Sequence, residues 1–433
     1  MSEWREFMLE DLADSSPNAL ATGPFGSAIS SKHFVNDGVP VIRGSNLSLD
    51  VGVRLSDDSL AYLSEETAGR FRRSIARRGD LVFTCWGTVG QVGLVDERCQ
   101  FDEYVVSNKQ MKLTPDPERV DSHFLYYLLS SPEMVGEVTG QAIGAAVPGF
   151  NLGQLRSLTI RLPGLGEQRS IATVLRAIDD LIENHRRRVE VLEEMARAVY
   201  REWFVRFRYP GHEHVPLVDS PLGPIPDGWT VGVLGDLAAL DRVNVQPRDS
   251  PGELFDHYSI PAFDDGARPV VEPGGAIKSG KYLLSTPAVL VSKLNPRIDR
   301  VWFAEPGTEQ RSVTSTEFLI LRPNERSHLE HLYLLARDPK FREQLTALSG
   351  GTSGSHQRAK PADFLKLPVA VAPAAVLDIL AKATSDQLRL ARQLARQGNK
   401  LAGLRDLLLP KLVTGQIDVS HLDLDVLAEA ATA

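Results

Sequence analysis

Residues 4–13 read WREFMLEDLA and residues 229–238 read WTVGVLGDLA, so the pattern W-x4-L-x-D-L-A occurs twice in the chain. A later pair, residues 107–113 and 315–321, repeats the similarity in the same order. The spacing between partners changes while their order is kept, as expected when a domain is duplicated and its surface loops then gain and lose residues. The period is far longer than the roughly 20 to 50 residues of a solenoid repeat. The alternative, chance similarity of amphipathic segments, is the weaker interpretation, and we expect two similar domains.

A long amphipathic helix is predicted after each copy. Apolar residues recur at spacings of three and four from Glu167 to about Val205, and a heptad pattern extends from Leu380 to Leu408, where Pro410 is expected to end the helix. Two such faces in one chain should pack on each other, through Ile171, Ile178, Leu192, Val199, Leu390, Leu394, Leu401, Leu404 and Leu408. At about 1.5 Å per residue the first helix would be roughly 57 Å long, a spacer of set length.

Within each copy the texture is mixed. Residues 80–84 and 288–292 are apolar runs typical of buried strands, whereas residues 132–138 and 339–348 predict short helices. Each copy should therefore be α+β. Between the first helix and the second copy, residues 209–228 are rich in proline and glycine, which predicts a linker and a domain boundary.

Composition excludes several classes of protein. The chain has 433 residues, of which 42% are hydrophobic and 24% charged, which is typical of a folded protein rather than a disordered or collagen-like one. No apolar run is long enough to span a membrane and the N-terminus lacks a secretory signal, so we expect a cytoplasmic protein with no membrane partner. Only Cys85 and Cys99 are present, so no disulfide framework and no metal are expected. The net charge of −8 requires any DNA contact to rest on local patches or on a basic partner.

The motifs of common catalytic sites are absent from the sequence. There is no G-x-x-x-x-G-K-[ST] phosphate loop, and the glycines of residues 87–93 follow a GxxGxxG spacing that favours a strand-turn-strand. Residues 295–298 read NPRI, which lacks the second proline and the aromatic ring of the amino-methyltransferase signature. His212 and His214 lie in the linker, where a solvated loop is favoured over a metal site. These absences indicate binding without catalysis and without a cofactor of its own.

Polar side chains beside glycines are the candidates for DNA contact, because glycine lets the backbone approach a phosphate or a base edge. In the first copy we select Ser27, Arg43, Asn46, Trp86, Thr88, Ser107, Asn108 and Lys109. In the second copy we select Lys293, Asn295, Arg297, Ser355, His356, Gln357, Arg358 and Lys360. A basic cluster at Arg70, Arg72, Arg73, Arg77 and Arg78 either follows a phosphate backbone or forms a solvated helix face. Two copies that share one framework but differ in their polar loops would recognise two different targets.

The chain resembles the specificity (S) subunit of type I restriction-modification systems over essentially its whole length. The resemblance rests on residues 4–12, on GPFGS at 23–27, on PGLGEQRSIA at 163–172 and on LRDLLLPKL at 404–412. It implies an α+β chain in which two target-recognition domains are separated by two long antiparallel helices packed as a coiled coil, with a pseudo-twofold internal repeat. The implied domains are 1–165, recognition domain 1; 166–208, the central spacer helix; 209–373, recognition domain 2; and 374–433, the C-terminal helix and tail.

The resemblance further implies a non-catalytic DNA-binding subunit. Each recognition domain would read one half of a bipartite site in double-stranded DNA, and the helices would set the spacing. Its partners would be two methyltransferase subunits, which bind S-adenosylmethionine, and through them the restriction (R) translocase-nuclease subunits. Residues 373–378 read PAAVLD and lack the Gln-Arg pair found at 168–169, which makes the two docking surfaces unequal in sequence. The alternatives are a coiled-coil scaffold without DNA readout, and a nuclease or methyltransferase with an unrecognised motif.

Overall fold

The computed structural model describes residues 4–24, 26, 28–144, 148–325, 327–350 and 357–419. The chain divides into two compact units, the first formed by residues 1–184 and 397–433 and the second by residues 185–396. This division cuts through both long helices, whereas the domain boundaries predicted above follow the helix ends and stay a prediction. Among the described residues, no helix is both long and apolar enough to span a membrane.

The first unit combines three small sheets with short helices. Its strands are β1 (Arg5–Met8), β2 (Leu20–Thr22), β3 (Phe34–Val35), β4 (Val39–Ile42), β5 (Ala61–Leu63), β6 (Ile75–Arg77), β7 (Leu81–Thr84), β8 (Val92–Leu94), β9 (Glu103–Val106), β10 (Gln110–Leu113) and β11 (Thr159–Leu162). Its helices are α1 (Glu65–Gly69), α2 (Ser122–Leu129), α3 (Pro132–Gly140), α4 (Leu152–Arg156) and the start of α5 (Leu165–Tyr200). The sheets have the strand orders β2-β10-β7-β8, β3-β5-β4-β9-β6 and β1-β11.

The second unit has the same kinds of element. Its strands are β12 (Leu217–Val218), β13 (Ile225–Pro226), β14 (Thr230–Val233), β15 (Ala238–Asp241), β16 (Asn244–Val245), β17 (Leu254–Tyr258), β18 (Val270–Pro273), β19 (Lys281–Leu284), β20 (Ala288–Ser292), β21 (Val301–Ala304), β22 (Arg311–Ser315), β23 (Phe318–Pro323), β24 (Ser349–Gly350), β25 (Arg358–Ala359) and β26 (Pro368–Val371). Its helices are α6 (Ile260–Asp264), α7 (Leu329–Ala336), α8 (Pro339–Ala347), α9 (Pro361–Phe364) and the first part of α10 (Ala374–Val413). The linker predicted at 209–228 contains the short β12–β13 hairpin.

The two units share one strand framework. The sheet β15-β23-β20-β21 repeats β2-β10-β7-β8, and both are antiparallel throughout. In the larger sheet, β18-β17-β22-β19 repeats β5-β4-β9-β6, with a single parallel pair at the centre of each. The fifth strand is added at opposite edges, as β3 beside β5 and as β16 beside β19. The α+β class and the internal repeat are therefore confirmed.

Local sequence explains why these elements begin where they do. The four residues of β7 are all buried, as expected for an apolar strand covered on both faces, and β7 pairs with β8 to give the predicted strand-turn-strand. Helix α3 begins after Ser131, whose hydroxyl accepts from the Met134 amide, and α8 begins after Asp338, whose carboxylate caps the helix. A proline at the first helical position follows both caps, where its missing N–H costs nothing.

The long helices differ in detail from the prediction. Helix α5 ends at Tyr200 and continues as a π-helical turn, Arg201–Val205. Helix α10 extends three residues beyond Pro410, so the expectation that this proline ends it is wrong. The helix ends before Gly415, whose φ of +73° belongs to the left-handed region that glycine tolerates. Because glycine has no Cβ atom, the Trp4 ring can also lie directly against it.

Contacts within each unit show the helices running antiparallel. In the first unit, the early residues Ile171 and Leu175 of α5 share a core with the late residue Leu412 of α10. In the second unit, the late residue Tyr200 of α5 shares a core with the early residue Leu380 of α10. The antiparallel pairing of the two helices follows from these two observations.

The predicted packing face of α10 needs correction. Leu390 and Leu404 are 38% and 46% exposed, which removes them from the buried face. Buried positions on the helix are instead taken by Leu388, Ala391 and Arg405. Arg405 is part of the buried face of α10, so a heptad pattern that counts only leucines assigns some exposed positions to that face. Of the other selected residues, Ile171 and Leu394 are buried, and Ile178, Leu192, Val199, Leu401 and Leu408 are half-buried.

Candidate nucleic-acid interface

A cleft of about 400 Å³ opens in the first unit where strand ends from two sheets meet. Thr84 at the end of β7 and Gln110 at the start of β10 face each other in register, and Arg43 follows the end of β4. The lining residues are Ile29, Phe34, Val41, Arg43, Gly44, Thr84, Trp86, Gly87, Thr88, Gln91, Ser107, Asn108, Lys109 and Gln110. Six of the residues selected from the sequence, Arg43, Trp86, Thr88, Ser107, Asn108 and Lys109, are thus brought together.

Trp86 is fixed in position yet half open to solvent. The residue is 51% exposed, and its backbone bridges to Gly149. A Cβ atom at Gly149 would lie 2.4 Å from the indole ring, so only glycine permits this approach. The next residue, Gly87, has a φ of +101° that side chains rarely adopt. The turn therefore presents an aromatic surface whose orientation is set before any ligand binds.

The polar groups of the cleft are partly committed and partly available. Thr84 donates to Gln91 at 2.9 Å, and the Gln91 amide donates to the Leu47 carbonyl oxygen at 2.8 Å. The Arg43 Nη2 donates to the Ser59 carbonyl oxygen at 2.6 Å, while its Nε has no partner among the described residues. Thr88 and Lys109 are exposed. None of the lining residues is acidic, so Arg43 and Lys109 make the cleft locally positive in a negatively charged chain.

Two residues selected in the first copy serve the fold. Asn46 is buried, and its amide donates to the carbonyl oxygens of Ser56 and Asp58 at 3.0 and 3.1 Å while its oxygen accepts from the Arg43 amide. Its selection as a DNA contact is wrong, because every polar atom of the side chain closes the loop. Ser107 is also buried and donates to Gln110. Ser27 lies outside the described residues.

The second unit repeats the backbone of this turn with different side chains. In the first unit the Cys85 amide donates to the Lys109 carbonyl oxygen at 2.7 Å, and the Phe150 amide donates to Cys85 at 2.8 Å. In the second unit the same two bonds join Lys293 to Glu317 at 2.9 Å and Ala359 to Lys293 at 3.0 Å.

The matching bonds establish which residues are equivalent. Glu317 takes the place of Lys109, Arg358 that of Gly149, and Leu294 that of Trp86, since Leu294 bridges to Arg358 as Trp86 does to Gly149. A lysine, a glycine and an aromatic ring are thus exchanged for a glutamate, an arginine and an aliphatic side chain at one site of the shared framework.

The remaining residues selected in the second copy are placed as follows. The Asn295 amide donates to the Gln357 carbonyl oxygen at 2.9 Å, which brings the two segments together, and Asn295 itself has a φ of +48°. Arg297, Arg358 and Lys360 are exposed, and Lys293, Asn295 and Gln357 are half-buried. Ser355 and His356 lie outside the described residues.

The basic cluster of the first unit is largely neutralised. Most of its arginines have partners of their own: Arg70 pairs with Glu66, Arg77 with Glu103 and Arg78 with Asp102, while Arg73 donates to Asn18. This pairing favours the solvated-face interpretation over a phosphate track, because a paired guanidinium offers little net charge to a polyanion.

Two buried cysteines and one carboxylate–histidine cluster lie in the described part of the first unit. Burial raises the pKa of both Cys85 and Cys99 to about 12, so both thiols are protonated at neutral pH and are poor nucleophiles. Asp96, Glu97 and His123 have ligand atoms within 4.8 Å of one another, but Arg54 and Arg176 are already paired with the two carboxylates.

Sequence reasoning missed a buried network of charges in the first unit. Asp179 on α5 accepts from Arg54 at 3.3 Å, from Arg405 of α10 at 3.1 Å and from the Tyr127 hydroxyl at 2.5 Å. Burial raises the pKa of Tyr127 well above its usual range, so this hydroxyl stays protonated and donates. Gly52 leaves room for Arg405, since a Cβ there would lie 2.4 Å from its Nη1. The network ties both long helices to the globular part of the unit.

The sequence of this chain is similar to those of known proteins. Residues 1–194 match the family described as type I restriction modification DNA specificity domain. The chain is 27% identical over 199 residues to the MjaIX specificity subunit of Methanocaldococcus jannaschii, a match that covers 46% of this chain and 44% of that protein. It is 21% identical to the HindI specificity subunit of Haemophilus influenzae over 96% of this chain and 100% of that protein.

The fold is shared with a solved structure. The crystal structure of a type I restriction-modification S subunit from M. genitalium has a TM-score of 0.58 and 15% identity, and the match covers 95% of this chain and 96% of that one. The duplicated α+β framework and the paired long helices are thus accompanied by sequence similarity that extends along the chain. The chain is thus similar along its length to type I restriction-modification specificity subunits, and residues 1–194 match the family of their DNA specificity domain.

Proposed function

We propose that this chain reads a bipartite site in double-stranded DNA, with residues 1–165 and residues 209–373 as two recognition domains that each read one half. The observation that carries the proposal is that one strand framework occurs twice with different chemistry at the same site. Trp86, Gly149 and Lys109 in the first copy are replaced in the second by an aliphatic side chain and an ion pair. Two copies kept only as a scaffold would have no use for this difference.

The first cleft has the chemistry that DNA requires. It lacks acidic residues, it carries Arg43 and Lys109, and it presents Trp86 as a fixed apolar surface. Cations near the phosphates supply affinity, whereas polar and apolar contacts to base edges supply specificity. The net charge of −8 is then offset locally by such clefts and by the partner subunits.

The long helices act as the spacer and the docking surface in this proposal. The 36 residues of α5 and the 40 residues of α10 correspond to lengths of roughly 54 and 60 Å at 1.5 Å per residue. Two methyltransferase subunits, which bind S-adenosylmethionine, would dock on them, and the restriction (R) subunits would join through the complex. The chain itself supplies sequence readout and no catalysis.

Adenine methylation is the assay for this function. The chain would be co-expressed with the methyltransferase subunit of its own system, and methylated adenines would be mapped across the host genome by single-molecule sequencing. We expect a gapped two-part motif that disappears when the chain is omitted. Methylation that does not change on omission of the chain would refute the specificity role.

A further inference from the structure

The Arg358–Glu317 ion pair is built as an oriented unit. The Arg358 Nε donates to both oxygens of Glu317, at 3.3 and 3.1 Å. Both backbones are held as well: Glu317 by the bond from the Lys293 amide to its carbonyl oxygen, and Arg358 by bonds at its two neighbours, Gln357 and Ala359. A flexible arginine is thus fixed at its Nε and at its main chain.

The outer end of the guanidinium is open to a ligand. The Arg358 side chain is 48% exposed, and its two Nη groups make no hydrogen bond to any residue that the structure describes. Two parallel N–H donors in a plane match the O6 and N7 acceptors that guanine presents in the major groove. The carboxylate holds the Nε side and leaves this fork directed away from itself.

The charges of the Arg358–Glu317 pair favour contact with a base over contact with a phosphate. Glu317 cancels the charge of Arg358 at close range, and its own negative charge repels a phosphate. A guanine edge is uncharged and requires only two aligned donors. The pair is therefore better suited to a base than to the DNA backbone.

We propose that Arg358, oriented by Glu317, reads one guanine in the half-site of the second recognition domain. Arg358 is the specificity residue, and Glu317 is a positioning residue that acts through it. The first domain does not have this contact, because Gly149 and Lys109 occupy the equivalent positions. The inference rests on the proposed function, since it assumes that this domain faces DNA.

The test uses the full chain in complex with its methyltransferase partner and the methylation map of the host genome. In Arg358→Ala, discrimination at one guanine of one half-site should fall roughly 5- to 150-fold, the range for one bidentate arginine–guanine contact. Glu317→Gln should relax the same position less strongly. Arg358→Gln should shift the preference at that position towards adenine, because a carboxamide pairs with the N6 and N7 of adenine.

Arg311→Ala is the matched control. Arg311 is 49% exposed and pairs with Glu253 at 3.4 Å, so it loses a comparable surface ion pair in the same unit. We expect it to leave the motif unchanged. The other half of the motif and the spacing should also persist in every variant, which shows that the complex still assembles.

Each other outcome overturns the inference. An unchanged motif in Arg358→Ala, a partial and uniform weakening of methylation at all sites with the guanine requirement kept, or relaxation at a base other than guanine would do so while the wild-type motif upholds the proposed function. If Arg358→Ala methylates nothing, Arg358→Gln decides, because a retained guanine requirement or no methylation would count against the inference. A wild-type chain that directs no gapped motif would refute the proposed function itself.

Discussion

Replacement of Asp179 by asparagine should destabilise the first unit far more than the same change at the neighbouring Asp180. The Asp179 side chain is 1% exposed and accepts from Arg54, Arg405 and Tyr127. The Asp180 side chain is 41% exposed and has one arginine partner at the surface. The two residues are adjacent on one helix, so they form a matched pair in which mainly burial and the number of partners differ.

The size of the effect follows from what the change leaves behind. Asparagine keeps the shape but not the charge, so Arg54 and Arg405 lose the carboxylate between them. Removing one member of a buried ion pair costs about 3–5 kcal/mol. Arg54 keeps Asp96 at 2.7 Å and Arg405 keeps Asp50 at 3.2 Å, so we place the loss at the lower end, about 3 kcal/mol. An exposed pair such as that of Asp180 contributes about 0–1 kcal/mol.

Thermal unfolding measures the difference. For a unit of this size, a loss near 3 kcal/mol lowers the Tm by roughly 6–12 °C. Hydrogen exchange followed peptide by peptide would assign the change to the first unit, with faster exchange in α5 and in the α10 segment around Arg405. Equal and small Tm shifts for Asp179→Asn and Asp180→Asn would refute the view that the buried network holds the helices to this unit.

Three further predictions concern pH, the Trp86 surface and Lys109. Burial, helped by the charge of His328, lowers the pKa of His331 to about 3. Between about pH 6.5 and pH 3 the unfolded chain therefore binds one more proton than the folded chain. The second unit should then lose up to about 1.4 kcal/mol of stability for each unit by which the pH falls in this range. In thermal melts of His331→Gln this slope should become shallower, with a remainder from His257, whose pKa burial also lowers, and an unchanged slope would contradict the assignment. Gly149→Ala should displace the indole, shift the Trp86 fluorescence and relax one half of the DNA motif. The control Gly136→Ala, whose added Cβ would meet no atom within 4 Å, should have none of these effects. An unaltered motif in Gly149→Ala would exclude a role of the Trp86 surface in DNA recognition. If Lys109 contacts a phosphate, Lys109→Ala should weaken binding to all sequences and reduce the salt-dependence slope by about one, and a loss confined to one base pair would contradict this.

Much of the framework was predictable because its signals are local. The buried run that forms β7 and the capped helices α3 and α8 depend on neighbouring residues, and the repeat identifies the duplicated domain directly. The end of α10 was not predictable in this way. A proline usually stops a helix, but here α10 continues past Pro410 to Val413. It ends just before Gly415, which lies against Trp4, a residue near the other end of the sequence.

The candidate site was predicted in part for the same reason. Trp86, Thr88 and Lys109 follow or precede strands, and their polar or aromatic character beside glycine marks them as accessible. The sequence does not show that β7 and β10 are neighbours, which is what brings these residues into one cleft. Asn46 has the same local signature, yet its amide closes a loop with Ser56 and Asp58, partners that the pattern around it does not reveal.

Long-range pairs account for the errors that remain. Asp179 and Arg405 are far apart in the chain, and each alone would be assigned to a solvated helix face. Because they are buried together, the packing face of α10 includes a charge, and leucines such as Leu390 and Leu404 turn outward. The same holds for Glu317 and Arg358, because the β22–β23 turn and strand β25 meet only in the folded domain.

Exchange of residues 1–165 for the recognition domain of another specificity subunit tests the central claim most directly. The chimaera would be co-expressed with the methyltransferase subunit, and its methylation motif would be compared with that of the wild-type chain. The account predicts that one half of the gapped motif changes while the other half and the spacing stay the same. A motif that changes in both halves, or in neither, would contradict the claim that each copy of the framework reads its own half of the site.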